Sequence, residues 1–267
     1  MGDIKIDPHM GLPAGFHFSQ SNLQDFVDCP RRFYLRHILN QQWPAPTTEP
    51  QREFEQAMQN GERFHRVVER HQLGIPLSLM SALSPLDGWL TRYEQHLATL
   101  GPFDQVWAEI AFSSLIGNHT LVAKFDLLAL KGNTIIAIDW KTGKLPQRPT
   151  LQRRLQTLVY LYVLHQEASR YLGKPLDTYT LTYASVATGE IQTFDYSPSE
   201  GYTGRLTTLL NNIQHSAFQK TDDQRHCRFC AYRSLCERGT TPTALPDEYD
   251  IDGDWAIPRD TENEVEF

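Results

Sequence analysis

The sequence predicts an α/β fold: a helical region, then a core of helix, three antiparallel strands, helix and strand. Three observations carry that reading. Through residues 16–100 the apolar side chains recur at helical spacing, and beyond residue 101 the period shortens to that of strands. Three β-rich segments, QVWAEIAFSSLIG, HTLVAKFDLLALKG and NTIIAIDWKTGK, are then separated only by Gly117-Asn118 and Gly132-Asn133, turn dipeptides that join antiparallel neighbours. Finally, PTLQRRLQTLVYLYVLHQEASRYLG has the length and apolar content of a strong helix ended by Gly173, with a strand following it.

In chain order, the first helix is expected in SQSNLQDFVDCPRRFYLRHIL, where Ser21 and Gln24 have the spacing of a capping box. Leu23, Phe26 and Val27, then Phe33, Tyr34 and Ile38, form an apolar stripe interrupted at Pro30. After the Pro-rich WPAPTTEP, a long helix is predicted over about 51–73, and another after Ser84-Pro85. YTLTYASVATGEIQTFDYS reads as a strand, a turn at Gly189 and a short strand, and a last helix over about 199–218 leads into HCRFCAYRSLC. The predicted organisation is an extension (1–15), one domain (16–240) and a tail (241–267). Within the domain, 16–100 are helical, 101–198 form the α/β core, and 199–240 hold the last helix and the cysteines.

Composition bounds the class. Apolar residues make up 40% and charged residues 21%, the proportions of a soluble globular chain. No apolar run is long enough to span a bilayer, and the N-terminus lacks a signal-peptide pattern, so a cytoplasmic, reducing location is expected. The net charge of −7 is uneven: residues 247–267 carry nine acidic side chains and one basic, leaving the rest near neutral. The tail is expected to be disordered, and the near-neutral body leaves a nucleic-acid partner open.

The residues that could carry chemistry cluster in the strand-rich part. In IIAIDWKTGK, Asp139 and Lys141 end an apolar run two residues apart, the spacing that shares one side of a strand. A charge pair where a strand runs out into solvent would look the same. Asp126, however, interrupts the apolar LVAKFDLLAL, where a carboxylate is costly unless paired or metal-bound. In a hairpin it would approach Asp139, and two converging carboxylates call for a cation such as Mg²⁺ or Mn²⁺. Glu109 is a third acid in an apolar strand; His65 sits on a helix one turn before Glu69; Gln156 and Tyr160 are one helical turn apart.

His65, Asp126, Asp139-Trp140-Lys141 and Gln156-x-x-x-Tyr160 together resemble the motif series of the PD-(D/E)XK nuclease superfamily. Over about residues 16–240 the likeness is to its RecB-like branch, which includes RecB and AddB nuclease domains and CRISPR-associated adaptation exonucleases. Where that family usually has a glycine just before the second-strand aspartate, this chain reads Val122-Ala123-Lys124-Phe125. The resemblance implies a restriction-endonuclease-like core. It implies a metal-dependent DNA nuclease, exonucleolytic on single-stranded or end-exposed DNA, in repair, recombination or CRISPR adaptation. A non-catalytic binding or scaffold subunit of a larger assembly is the alternative.

It further implies roles. Asp126 and Asp139, with His65 and the Trp140 carbonyl, would hold Mn²⁺ or Mg²⁺; Lys141 would orient the attacking water or neutralise developing charge, and Glu109, a further acid of the catalytic set, would support these ligands or hold a second ion. Gln156 and Tyr160 would position DNA, with Lys124, Lys144, Arg148, Arg153 and Arg154 following its backbone. Iron–sulfur members place one cysteine before the core and three after it. Cys29 and Cys227, Cys230 and Cys236 fit that pattern and imply a [4Fe–4S] cluster, with zinc or free thiols as the competing readings. A helicase- or integrase-type protein partner follows from the same likeness.

Overall fold

The longest strand organises the sheet in the computed structural model, which describes residues 11–41, 49–80, 86–227 and 230–239, with only the backbone of 49–55 and 87. Strand β3 (His119–Lys131) runs antiparallel to β2 (Gln105–Ile116) along almost its whole length. On its other side it is shared. β4 (Thr134–Lys141) takes Leu127–Lys131 antiparallel, and the short β1 (His17–Ser19) takes Thr120–Val122 parallel. β5 (Thr178–Ser185) lies parallel to β4, and β6 (Ile191–Asp195) closes that edge antiparallel. The result is a mixed six-stranded sheet in an α/β fold, with the expected three-strand meander at its centre. Both meander turns are two-residue loops. Gly117 and Gly132 have φ of 60° and 62°, the left-handed first position that suits the twist of the flanking strands.

The helices lie on the two faces. α6 (Leu155–Leu172) packs beside α1 (Gln20–Asp28) and α7 (Tyr202–Gln214) in the larger core cluster. α3 (Glu49–Gln72) and α4 (Asp87–Leu100) cover Leu127, Ile138 and Trp140 with Phe64, Leu90 and Tyr93. α6 ends at Gly173, whose φ of 64° and whose following residue, Lys174, close the helix by bonds to Arg170 and Ser169.

Local chemistry moves several boundaries. The capping box is formed by Ser19 and Asn22, not Ser21 and Gln24, because β1 ends in extended backbone at Ser19 and the helix begins immediately after it. Three residues of β1 are too few for alternation to be visible in the sequence. The interruption at Pro30 is real: Cys29 is extended (φ −161°) between α1 and α2 (Pro30–Phe33), which runs on as a π-helical turn, Tyr34–Ile38. The helix expected as one piece from residue 149 is two, α5 (Arg148–Arg153) and α6, because Arg154 turns extended (ψ 145°) and caps α6. α7 is shorter than expected; a 3₁₀ turn at Pro198–Glu200 and left-handed Gly201 delay its start. The Ser84-Pro85 start and the acidic tail lie outside the described residues. Among the described residues, no helix is long and apolar enough to cross a membrane.

An ionic knot spans the Cys29 break. Asp25, fully buried, pairs with Arg32 Nε at 2.7 Å, Arg36 at 2.9 Å and His37 Nε2 at 2.8 Å, while Asp28 holds Arg32 at 2.6 Å. Burial pushes the Asp25 carboxyl up, but the His37 bond and the two arginines outweigh it and bring its pKa down to about 2. Removing one partner of such a buried network leaves charges without compensation, so Asp25→Ala should lose about 3–5 kcal/mol of unfolding free energy. A carboxyl depressed in the folded state stabilises fully above its unfolded pKa and loses that contribution as pH falls toward about 2. Denaturant titrations at several pH values should therefore show an acid-side loss in the wild type that the variant lacks.

Candidate active site

The site opens where two strands part. Pairing of β3 with β4 stops at Leu127 and Ile138, and the next step in register brings Asp126 and Asp139 together. No ladder bond forms there; Asp126 Oδ2 accepts the Trp140 N–H at 2.8 Å. On the other side, Ala108 pairs with Leu127 and Ile110 with Phe125, which sets Glu109 against Asp126. One register row thus runs Glu109, Asp126, Asp139 and, by the parallel pairing of β4 with β5, Tyr183. Glu109 is left-handed (φ 51°), a rare state for a non-glycine residue inside a strand. The core-facing alternation of β3 slips at the same place. Leu121, Ala123 and Phe125 belong to the larger core cluster, as do Leu128 and Leu130 beyond Asp126.

His65 enters from α3, its Nδ1 3.4 Å from Asp126 Oδ2. The ligand atoms of His65, Glu109 and Asp126 all lie within 4.8 Å of one another, and among the described residues this is the group able to hold a metal ion. Asp139, expected as a direct partner of Asp126 and His65 at the ion, is engaged otherwise. Lys141 Nζ is 3.0 Å from its Oδ2, and Gln156 Nε2 donates to its Oδ1 at 2.6 Å. The sequence set is therefore brought together, but in two subsets: His65, Glu109 and Asp126 on one side, Asp139, Lys141 and Gln156 on the other.

Burial and crowding polarise the carboxyls. Burial raises Asp126, but His65, the Trp140 N–H and Lys141 together hold it below its ordinary value. Asp139 is pushed up to about 7 by burial and by Asp126, with Lys141 and His65 compensating only in part. Glu109 is raised by burial and by Asp126, against the opposing pull of Lys124. Two raised acids crowded beside an ionised one form a site that favours a divalent cation. The chemistry of the donors, imidazole nitrogen and carboxylate oxygen, fits Mn²⁺ or Mg²⁺.

The supporting shell comes mainly from α4 and α6. Tyr93 packs edge-on against Trp140 at 5.0 Å and His96 stacks on it, fixing the strand between Asp139 and Lys141. Gln156 and Tyr160, expected to contact DNA, are buried; Gln156 orients Asp139, and Tyr160 packs on Phe125. Tyr183 was not visible as a site residue, because a parallel register leaves no local signal. It accepts or donates a bond to Thr157 at 2.8 Å and lies under Lys141. Of the expected DNA-tracking residues, Lys144, Arg148 and Arg153 are exposed, Arg154 is half-buried, and Arg148 lies over Phe194. Lys124 binds Glu109 at 2.7 Å.

Cys29, Cys227, Cys230 and Cys236 line one cavity, together with Arg32 and Arg238. The four are free thiols, and burial pushes Cys230 up to about 11. A tetrahedral zinc site, with bonds of about 2.3 Å, needs its sulfurs about 3.8 Å apart. The cysteines do not gather in that way: no three of their sulfurs lie within 4.8 Å of one another. The close gathering that zinc would need is thus not formed, and the four cysteines share one cavity without showing a cluster.

The chain matches the family model of the PD-(D/E)XK nuclease superfamily over residues 17–237. No curated protein matches it. Among solved structures, it is similar to a protein from Eubacterium rectale described as a candidate exonuclease, with 10% identity over 78% of this chain and 85% of that one, at a TM-score of 0.49. It is also similar to SSO0001, with 13% identity over 86% of this chain and 88% of that one, at a TM-score of 0.40. Both likenesses are distant.

The backbone at Glu109 gives a test independent of any substrate. A left-handed residue with a side chain costs about 1–2 kcal/mol relative to glycine. Glu109→Gly should thus unfold at higher denaturant than Glu109→Ala, by about 1 kcal/mol, while both lose the same share of Mn²⁺ binding. Equal stability of the two would mean that no strain is held there.

Proposed function

Since the chain belongs to the PD-(D/E)XK nuclease superfamily, whose members typically use divalent metals, we propose that it is a deoxyribonuclease hydrolysing phosphodiester bonds. The observation that carries this reading is the meeting of His65, Glu109 and Asp126 beside the Asp139–Lys141 pair at the parting of β3 and β4. His65, Asp126 and Glu109 would hold the ion, with Asp139 and the Trp140 carbonyl completing the site. A bound divalent ion supplies Lewis acidity and a water of lowered pKa. Lys141, fixed by Asp139, offsets the negative charge that develops on phosphorus. Gln156 keeps Asp139 aimed at Lys141, and the exposed Lys144, Arg148 and Arg153 meet the DNA backbone.

We extend the reading to a RecB-like exonuclease acting on single-stranded or end-exposed DNA in the cytoplasm. DNA repair, recombination or CRISPR adaptation is its setting, and a helicase- or integrase-type protein its partner. Cys29, Cys227, Cys230 and Cys236 are read as ligands of a [4Fe–4S] cluster. A cluster is wider than one ion, so its thiolates need not meet. The cations around this cavity suit an anionic cluster: Arg238 reaches Cys227 Sγ at 3.4 Å, and Arg32 acts on Cys230.

Two measurements test these statements. With end-labelled single- and double-stranded DNA, Asp139→Ala and Lys141→Ala should each slow cleavage by at least about two orders of magnitude while fold and DNA binding persist. Near-normal cleavage by either would remove the assignment. After anaerobic purification, Cys29→Ser should bleach the iron–sulfur absorbance near ~400 nm and lower the melting temperature. Retention of iron and colour would exclude Cys29 as a ligand.

A further inference from the structure

Two acids of the site are each held by a lysine, but the two lysines differ in kind. Lys141, which holds Asp139, is buried at 5% exposure, fixed among Asp139 and the Tyr183 ring. Lys124, which holds Glu109 at 2.7 Å, has 63% of its side chain in solvent. It sits opposite Ala111, one diagonal step from Glu109 across β2 and β3. A lysine so exposed pays side-chain entropy to stay in one geometry and gains little from a screened pair. It can leave. The carboxylate it covers is also the one delivered by an unusual backbone: Glu109 is left-handed inside a strand, and its oxygen comes within 4.8 Å of the ligand atoms of His65 and Asp126.

We propose that Lys124 is a built-in counter-ion that occupies Glu109 until a divalent cation displaces it, and so sets the cation concentration at which the Glu109 side of the site fills. The ammonium neutralises Glu109 in the metal-free protein, where Glu109 otherwise faces Asp126 across the strands. A divalent ion approaching His65 and Asp126 must compete with Lys124 for the Glu109 oxygen. Lys124 is on this account a positioning residue: it governs Glu109 and need not touch the reacting atoms. The buried Lys141 cannot serve in this way, because leaving Asp139 would strand a charge inside the protein.

The inference rests on the nuclease reading only for the identity of the site, and its test is read from metal binding, without DNA. Mn²⁺ is titrated into the full-length protein, with free ion followed by electron paramagnetic resonance. The proteins compared are wild type, Lys124→Met, Lys124→Arg, Glu109→Gln and the Glu109→Gln/Lys124→Met double variant, each checked by circular dichroism for an intact fold. Lys124→Met keeps the aliphatic stem and removes the charge; it should bind Mn²⁺ about two- to fivefold more tightly, the span of an exposed ion pair. Lys124→Arg should bind as wild type does. In the Glu109→Gln background, Lys124→Met should change nothing. Unchanged or weaker binding in Lys124→Met overturns the proposal, as does an equal gain without the Glu109 carboxylate, or a wild type that binds no Mn²⁺. A cleavage assay run beside it separates the two claims: Mn²⁺ binding that follows this pattern in a protein that cuts no DNA would sink the nuclease reading and leave the counter-ion role standing.

Discussion

Everything in the site follows from the end of pairing between β3 and β4. A ladder that stops inside a protein leaves a backbone N–H to satisfy, and an unpaired buried N–H costs about as much as a lost hydrogen bond. Asp126 meets that need at Trp140, and in doing so it holds the strands apart with its own carboxylate at the mouth of the gap. The same register then brings Asp139 on one flank and Glu109 on the other. One side-chain-to-backbone bond thus stabilises an open ladder and gathers three acids at once. The gathering is unfavourable by itself. His65, Lys141 and Lys124 offset it in the metal-free protein, each against a different carboxyl.

The surroundings are built to keep that arrangement from relaxing. Trp140 is fully buried under Tyr93 and His96, so the backbone between Asp139 and Lys141 is anchored by the residue it skips over. On the opposite face, α6 begins at Leu155, and within its first turns Gln156 reaches Asp139 and Thr157 reaches Tyr183. Elements on both faces therefore hold the strand that carries Asp139 and Lys141, while the exposed cations Lys144, Arg148 and Arg153 lie in the connection and short helix between β4 and α6.

Much of this was legible in the sequence, and for identifiable reasons. Asp126 and Asp139 stood out because each breaks an apolar run, and burial makes such a break expensive unless it is used. The meander was legible because two Gly-Asn pairs left no room for anything but tight turns. The division of labour among the acids was not. Glu109 looked like an accessory acid because nothing in VWAEIAF announces a left-handed residue in mid-strand, and that backbone state aims its carboxylate. The surroundings of Gln156 and Tyr160 were not legible because a helix face carries no label for what packs on it; both are buried, Gln156 against Asp139 and Tyr160 against Phe125. The capping box moved by two residues because β1 pairs with β3 a hundred positions away, a contact that local spacing cannot report.

The cysteine-lined cavity is organised by forces other than the thiols. Phe218, from the segment after α7, stacks on Phe33 and Tyr34, the Arg31 N–H bonds Gln219, and the Tyr232 hydroxyl reaches the Gln41 carbonyl. Behind them, the Asp25 network ties α1 to the turn that follows Cys29. The N- and C-terminal parts of the domain are thus docked before any group bridges Cys29 to Cys227, Cys230 and Cys236. For a free chain, cross-linking a loop of that length is worth about 5 kcal/mol. Those contacts hold the two ends in place in the folded chain, so a group bridging the cysteines would act chiefly on the unfolded chain, whose freedom it would restrict. Such a group would also bear on the segments that carry the three late cysteines, a 3₁₀ turn at Gln224–Cys227 and turns over 231–237, where Tyr232 is the side chain that packs inward.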